Sequence, residues 1–583
     1  MNINTKIKKS VLGVLVATSF FSNAYAANQP VAPEVATAKT DKELVLGKKS
    51  MVVTNNPWAS QAASEILSKG GNATDAAVAA AFMLGLTEPQ SSGIGGGGYA
   101  MVYNDKKMKA YDGREVAPRS ANPQWFIGSD GKPLSFDQAM LSAKSIGVPS
   151  EVALLYKMHQ DSGKLEWKKL LEPAIKLAQK GFPMSPRLYN LLVADQNVLS
   201  ANSAITAVYF NSDGSVKAIG TTVKNPDYAT TLQKIAKDPQ EFYTGSIAKD
   251  IINIINEKAG TELYTKKDLK DYNVIVYDPV CSLYRNQYKI CSVPPSSSGG
   301  ATVLELMQIY ANNYSGNNPQ DVKWAYNFLE ASKLAYADRN QYLADPDFVK
   351  QPVKGLLNAD YLASRSKLVT ESALATPVSA GIPDGIDKKY APDLSPKPHG
   401  TTSMSIVDKN GDAVTMTVTV EHQFGSHLFV DGFFLNNELT DFSFKPVADN
   451  GKPIANRVEA GKRPRSSIAP TMVFDKKGKL YALTGSPGGS QIICYVAKNL
   501  IGMLDMGLTP LDAVSSANLC AVNTNPVIES GNDWLNQQIP QLQAMGESIV
   551  QTDLVSGETN ILKTKNGWLG AADPRREGVA IGN

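Results

Sequence analysis

Two stretches late in the chain alternate between hydroxyl-bearing and apolar residues along most of their length: Thr401-Thr-Ser-Met-Ser-Ile-Val-Asp408 and Ala413-Val-Thr-Met-Thr-Val-Thr-Val420. A period of two predicts a pair of strands, and Asn410-Gly411 between them is a strong hairpin signal. A three-residue loop, Lys409-Asn410-Gly411 with Gly411 left-handed, would set Thr419 opposite Thr401; a two-residue loop would set Val420 there. Elsewhere the period is helical. A helix over 58–69 ends at Gly70-Gly71, and Asn72 or Thr74 caps a second through residue 86, built on the alanine-rich run 76–81. Residues 99–103 read as a strand, several helices fill 135–260, and 322–343 is another long helix. A helix over 491–506 follows the turn Thr484-Gly-Ser-Pro-Gly-Gly-Ser490.

The ends of this pattern carry information of their own. Lys6, Lys8 and Lys9 precede an apolar run over 11–21, and Ala24-Tyr25-Ala26 is a small-x-small site. That order reads as a secretory signal peptide over 1–26, with an apolar run too short to span a bilayer. Residues 376–400 hold Pro377, Pro383, Pro392, Pro396 and Pro398 with little apolar periodicity, which predicts a flexible, exposed linker. It ends abruptly at the strand that begins Thr401-Thr402.

Composition narrows the function class. The 583 residues are 43% apolar and 19% charged, enough for a sizeable core. Loss of 1–26 removes three lysines and no acid, leaving basic side chains equal in number to the 55 acidic ones. That balance argues against a dedicated nucleic-acid binder. The four histidines, His159, His399, His422 and His427, are scattered, so no metal site is expected. Cys281 and Cys291 flank two strands around a turn. They suit either a cross-strand disulfide in an oxidising compartment or two unpaired strand cysteines. Cys494 lies in an apolar run and Cys520 in an Ala/Ser/Leu-rich helix, and both read as buried.

Single motifs are ambiguous. Gly93-Ile-Gly-Gly-Gly-Gly98 matches a dinucleotide fingerprint, but a helix precedes it and a strand follows, so closely packed backbone is the better account. Glycines at 485–489 before a helix could present N–H groups to an anion or form an ordinary tight turn. Arg114 follows a short strand, Glu438 and Asp441 lie three apart, and Ser466-Ser467 follow Lys462-Arg-Pro-Arg465.

Taken in order, these fragments resemble the gamma-glutamyltranspeptidases of the N-terminal nucleophile hydrolase superfamily, from about residue 44 to about 575. The likeness rests on Gly70-Gly-Asn-Ala-Thr-Asp-Ala76, Glu88-Pro-Gln-Ser-Ser-Gly-Ile-Gly-Gly-Gly-Gly98, Asp112-Gly-Arg-Glu115 and Ala335-Tyr-Ala-Asp-Arg339 with Asp345-Pro-Asp-Phe348. It continues through Gly400-Thr-Thr402, Leu435-Asn-Asn437 with Asp441-Phe-Ser443, Arg463-Pro-Arg-Ser-Ser467 and Gly485-Ser-Pro-Gly-Gly489.

The resemblance implies an α/β fold, a four-layer αββα sandwich built from two subunits of one precursor. The cut falls between Gly400 and Thr401, giving a large subunit over 27–400 and a small one over 401–583. Thr401 is then the N-terminal nucleophile, its freed α-amine the base, and Thr419 its hydrogen-bond partner. Arg114 with Ser466 and Ser467 would bind the α-carboxylate of a gamma-glutamyl donor such as glutathione. Glu421, Glu438 and Asp441 would hold its α-ammonium, and Gly488 and Gly489 would form the oxyanion hole. Water, amino acids or dipeptides would accept the group, with no cofactor or metal. The signal peptide over 1–26 implies an exported protein, periplasmic or secreted. Residues 442–465 lie where some members carry a lid loop, and His399 could influence maturation. A glutaryl or cephalosporin acylase of the same family and a non-enzymatic exported gamma-glutamyl-binding protein are the competing readings. Glutaryl donors lack the α-ammonium that the three acids Glu421, Glu438 and Asp441 would serve.

Overall fold

The computed structural model describes residues 39–394 and 400–583. The expected signal peptide and His399 lie outside the described residues. Two seven-stranded sheets, antiparallel throughout, pack face to face. One runs Val579–Gly582, Met51–Thr54, Gly400–Val407, Ala413–Glu421, Gly97–Asn104, Lys107–Gly113, Ile275–Tyr277. The other runs Val45–Gly47, Gly567–Ala572, Thr559–Thr564, Leu480–Thr484, Thr471–Phe474, Tyr288–Ser292, Val280–Tyr284. Helices cover both outer faces, so the expected αββα sandwich is the architecture.

The outer face of the first sheet, with Val52, Ala100, Met404, Ile406 and Met416, packs on the helices Pro57–Ser68, Ala73–Thr87 and Trp167–Lys180. Ala73–Thr87 is buried along its whole length, which its alanines permit by letting neighbours approach closely. Of its two candidate caps the chain uses Asn72, whose side chain accepts from Asp75 N at 3.0 Å while Asp75 accepts from Asn72 N at 3.1 Å. On the far side of the second sheet lie Gly299–Asn313, Val322–Tyr342 and Ile492–Leu504.

The glycine run 95–98 packs as its sequence context suggests. A Cβ at Gly96 would sit 2.0 Å from Thr419 O, and one at Gly98 2.3 Å from Thr417 O. Only bare backbone lets the strand Gly97–Asn104 lie so close against the threonine strand.

The hairpin takes the three-residue loop. Asp408 N donates to Asp412 O at 2.9 Å, and Gly411 is left-handed at φ +85°. The register runs from Val407↔Ala413 to Thr402↔Val418, after which a bulge pairs Gly400 with Glu421. Alternation usually marks a strand with one wet face. Here the hydroxyl face is buried between the sheets: Ser405 Oγ donates to Thr559 O at 2.8 Å, and Ser403 Oγ lies 3.2 Å from Thr417 Oγ1.

Three expectations need correction. The linker described through residue 394 lacks regular structure and is exposed or half-buried over most of its length, as expected, but it is stapled down rather than free. Val378 N donates to Asn523 Oδ1 at 2.7 Å, and Asp393 is 1% exposed with its carboxylate on Asn456 and Arg465. Cys520 lies on the short strand Leu519–Cys520, because the preceding helix, Pro510–Ser515, stops five residues earlier. Cys494 and Cys520 are not merely buried; they form a disulfide, as do Cys281 and Cys291 across their antiparallel strands.

Candidate active site

The end of the hairpin brings three groups to one point. The Gly400 carbonyl oxygen accepts from Thr401 Oγ1 at 2.6 Å and from Thr419 Oγ1 at 2.7 Å. The two hydroxyl oxygens are 3.4 Å apart. Thr419 Oγ1 also accepts from Glu421 N at 2.8 Å, in a backbone turn that holds Glu421 at φ +78°. A non-glycine residue in that region costs free energy, and such residues concentrate at functional sites. Arg576 Nη1 donates to Thr401 O at 2.6 Å, and Thr402 Oγ1 donates to Glu88 Oε2 at 2.9 Å. The Thr401–Thr402 segment is thereby held through both its backbone and a side chain.

From Thr419 the polar contacts continue outward. Glu421 accepts from Asn437 Nδ2 at 2.8 Å, and Asn436 ties the next residues to the glycine run by donating to Gly95 O at 2.7 Å. The short helix Glu438–Asp441 follows, and Arg114 forms buried ion pairs with both Glu438 and Asp441. Arg114 Nε donates to Pro464 O at 3.1 Å, joining the 463–467 loop to the same cluster. Burial alone would lower the Arg114 pKa, but Glu438 and Asp441 more than offset it and hold the guanidinium charged.

Ser466 and Ser467 close this arc. Ser467 Oγ accepts from Arg339 Nη2 at 2.6 Å, and Ser466 Oγ accepts from Ile468 N at 3.1 Å. Gly488 and Gly489 have φ of +130° and +57° at the start of the turn Gly489–Gln491, which leads into Ile492–Leu504. Gly485 at the head of that loop lies against the hairpin: a Cβ there would sit 2.6 Å from Ser403 Oγ. Among the described residues no cluster of histidine, cysteine or carboxylate side chains could hold a metal ion.

Residues 59–583 match the family model described as gamma-glutamyltranspeptidase. A glutathione hydrolase proenzyme of Bacillus subtilis (strain 168) is 34% identical, over 93% of this chain and 92% of its own. A gamma-glutamyltranspeptidase from Pseudomonas nitroreducens, solved with L-DON, is 34% identical with a TM-score of 0.51, over 55% of this chain and 95% of that one. A cephalosporin acylase from Bacillus halodurans shares the fold, at 24% identity and a TM-score of 0.82, over 94% of this chain and 99% of its own. The chain belongs to the gamma-glutamyltranspeptidase family.

The structure adds residues to which their sequence motifs gave no role. Arg339 and Tyr336 lie in the Ala335-Tyr-Ala-Asp-Arg339 motif, and Glu88 lies in the glycine-rich one, so order along the chain pointed at their motifs but not at their contacts. Burial, and next the neighbouring Arg465, push Arg339 down to about 9. Burial pushes the Glu88 carboxyl up to about 7, against the pull of Arg187 and Arg576. Asp393 and Arg576 carried no usable signal, because their partners are distant in sequence. Residues 442–465 form an irregular segment whose Val447↔Pro453 bridge is followed by Ile454, paired with Ala391 of the linker.

Proposed function

We propose that the protein cuts itself between Gly400 and Thr401 and then works as a gamma-glutamyltransferase and glutathione hydrolase. The observation that carries this reading is the convergence of the Thr401 and Thr419 hydroxyls on the Gly400 carbonyl. Thr401 Oγ adds to the Gly400 carbonyl carbon while Thr419 donates to its oxygen. Collapse of the adduct breaks the Gly400–Thr401 amide, moves the acyl group onto Oγ, and leaves the proton on the freed α-amine. Water then hydrolyses the ester.

The freed α-amine, with a reference pKa near 8, is the base for the Thr401 hydroxyl in turnover. Thr401 takes the gamma-glutamyl group as an ester, and the Gly488 and Gly489 N–H groups stabilise the tetrahedral oxyanion. Water or the amine of an amino acid or peptide then removes it. Arg114 with Ser466 and Ser467 binds the donor's α-carboxylate; Glu421, Glu438 and Asp441 bind its α-ammonium. Arg114 and its two acids are already one another's partners, and a zwitterion offers the complement of each. Binding therefore exchanges ion pairs without adding net charge to a buried site. The large subunit is 27–400 and the small one 401–583, held together by the shared sandwich. Residues 1–26 direct export; among the described residues no helix is long and apolar enough to cross a membrane.

The test is purification of wild type and Thr401→Ala, N-terminal sequencing, and assay with gamma-glutamyl-p-nitroanilide and with glutaryl-p-nitroanilide. The expected result is a small subunit beginning at Thr401 and turnover of the gamma-glutamyl donor over the glutaryl one, both cutting and turnover being lost in the variant. A different N-terminus, an active variant, or preference for the glutaryl donor would overturn the reading.

A further inference from the structure

The helix Val322–Tyr342 places Ser332, Tyr336 and Arg339 at spacings of four and three, on one face. Each makes a bond to a different segment of the site's surroundings. Ser332 Oγ donates to Ala521 O at 2.9 Å and lies 3.3 Å from Cys494 Sγ. The Tyr336 hydroxyl donates to Ser490 O, and Arg339 donates to Ser467 Oγ. Tyr336 is wholly buried, with the Arg339 guanidinium 5.6 Å from its ring centroid. Both sulfurs of the Cys494–Cys520 disulfide stand 3.9 Å from its hydroxyl oxygen.

We propose that Tyr336 is a positioning residue for the Gly488-Gly489 turn, braced from behind by the Cys494–Cys520 disulfide. The inference rests on the reading of that turn as the oxyanion hole. Peptide planes are rigid and link the two positions. Ser490 O shares a plane with Gln491 N, and Gln491 N donates to Gly488 O at 3.1 Å. Gly488 O in turn shares a plane with Gly489 N, one of the two oxyanion donors. Holding Ser490 O therefore sets, two planes away, the direction in which Gly489 N–H points. Both glycines adopt left-handed backbone that offers little intrinsic preference, so outside contacts must fix it. The Tyr495 ring supplies one such contact, lying where a Cβ on Gly488 would be 2.4 Å from its edge. Tyr336 supplies the other, and it comes from the large subunit. The same helix, through Arg339, fixes Ser467, so one rigid element sets the spacing between the oxyanion donors and the carboxylate-binding serines.

The experiment compares matured wild type, Tyr336→Phe and the double variant Cys494→Ser/Cys520→Ser. It reads kcat and KM on gamma-glutamyl-p-nitroanilide, and Ki for glutamate and for a boronic acid analogue of the donor, whose tetrahedral adduct engages the oxyanion donors. Loss of the hydroxyl should lower kcat and boronate affinity together by about tenfold, less than loss of a direct oxyanion donor. KM and the glutamate Ki should stay within about twofold, because ground-state binding is untouched. The disulfide variant should move the same two quantities in the same direction, and it carries the test if Tyr336→Phe does not mature. Unchanged kcat and boronate affinity would overturn the proposal, as would equal losses in glutamate and boronate binding. If wild type binds the boronate no more tightly than glutamate, the oxyanion reading itself fails.

Discussion

Thr401 and Thr419 hold their hydroxyl oxygens 3.4 Å apart at the end of one hairpin, and both reach the same carbonyl oxygen, that of Gly400. The contact depends on the loop at Asn410-Gly411, eight residues from Thr419, because loop length sets which residue faces Thr401. Thr419→Val keeps the shape of the side chain and removes only the hydroxyl. We expect it to slow precursor cutting by roughly 10²-fold, the scale for loss of a donor to a developing oxyanion, and to slow turnover as well, because the nucleophile loses its hydrogen-bond partner. A gel time course and the p-nitroanilide assay measure the two; wild-type rates in either would remove Thr419 from that step.

Arg114 offers a planar fork to carboxylates, and Glu438 and Asp441 occupy both of its arms. Arg114→Lys retains the charge but loses the two-armed geometry. KM for the gamma-glutamyl donor should rise about 10- to 100-fold, corresponding to roughly 1.4–3 kcal/mol, with kcat less affected. Steady-state kinetics on the matured variant decide it, and an unchanged KM would count against the assignment.

Glu151 is buried beneath the glycine run, and burial pushes its carboxyl up to about 8, only partly offset by the Gly93 backbone. The folded state therefore holds this proton over a range where the unfolded chain has released it. The stability contribution is complete below about pH 4.5 and is lost as pH rises through about 8. Glu151→Gln has no proton to lose. Its stability should match wild type near pH 4 and exceed it near pH 9, by an amount on the order of a few kcal/mol, read as a higher melting temperature at the upper pH. Glu88 and Glu547, each raised to about 7 with burial the first cause, add slope of the same sign in both proteins. The difference between the two melting curves isolates Glu151.

The Cys281–Cys291 disulfide closes a loop of sequence separation 10 at the edge of the second sheet, away from the site. Replacing both cysteines by serine should cost at most about 2–3 kcal/mol from the unfolded-chain entropy of so short a loop. Kinetic constants should not change. Denaturation with parallel assays separates the two effects, and a kinetic change would show that this edge communicates with the hairpin.

The fold and much of the site were legible where chemistry depends on neighbours in the chain. The helix cap at Asn72, the hairpin signal at Asn410-Gly411 and the helix after Gly489 are local, and each appeared within a residue or two of its expected place. The linker failed that test. Proline and glycine content reports the lack of helix or strand, yet Asp393 is buried because Asn456 and Arg465, more than sixty residues away, receive it. Cys520 failed similarly, its short strand being set by pairing with Val527 and its disulfide by Cys494.

Sequence by itself determined the alternation of 401–408 and 413–420, the loop residues that pair them, and the order of motifs that carries the family. Period and turn chemistry are properties of adjacent residues, so they need no partner to be read. Tertiary structure decided which way that alternation faces. The hydroxyl side of the hairpin could have met water; it is buried because the second sheet supplies Thr559 as partner and bare Gly485 leaves room for Ser403. It also decided that Tyr336 holds Ser490 and that Arg114 pairs with Glu438 and Asp441. Those contacts span 154 to 327 residues, and only the packing of two sheets brings such distant groups within hydrogen-bond reach.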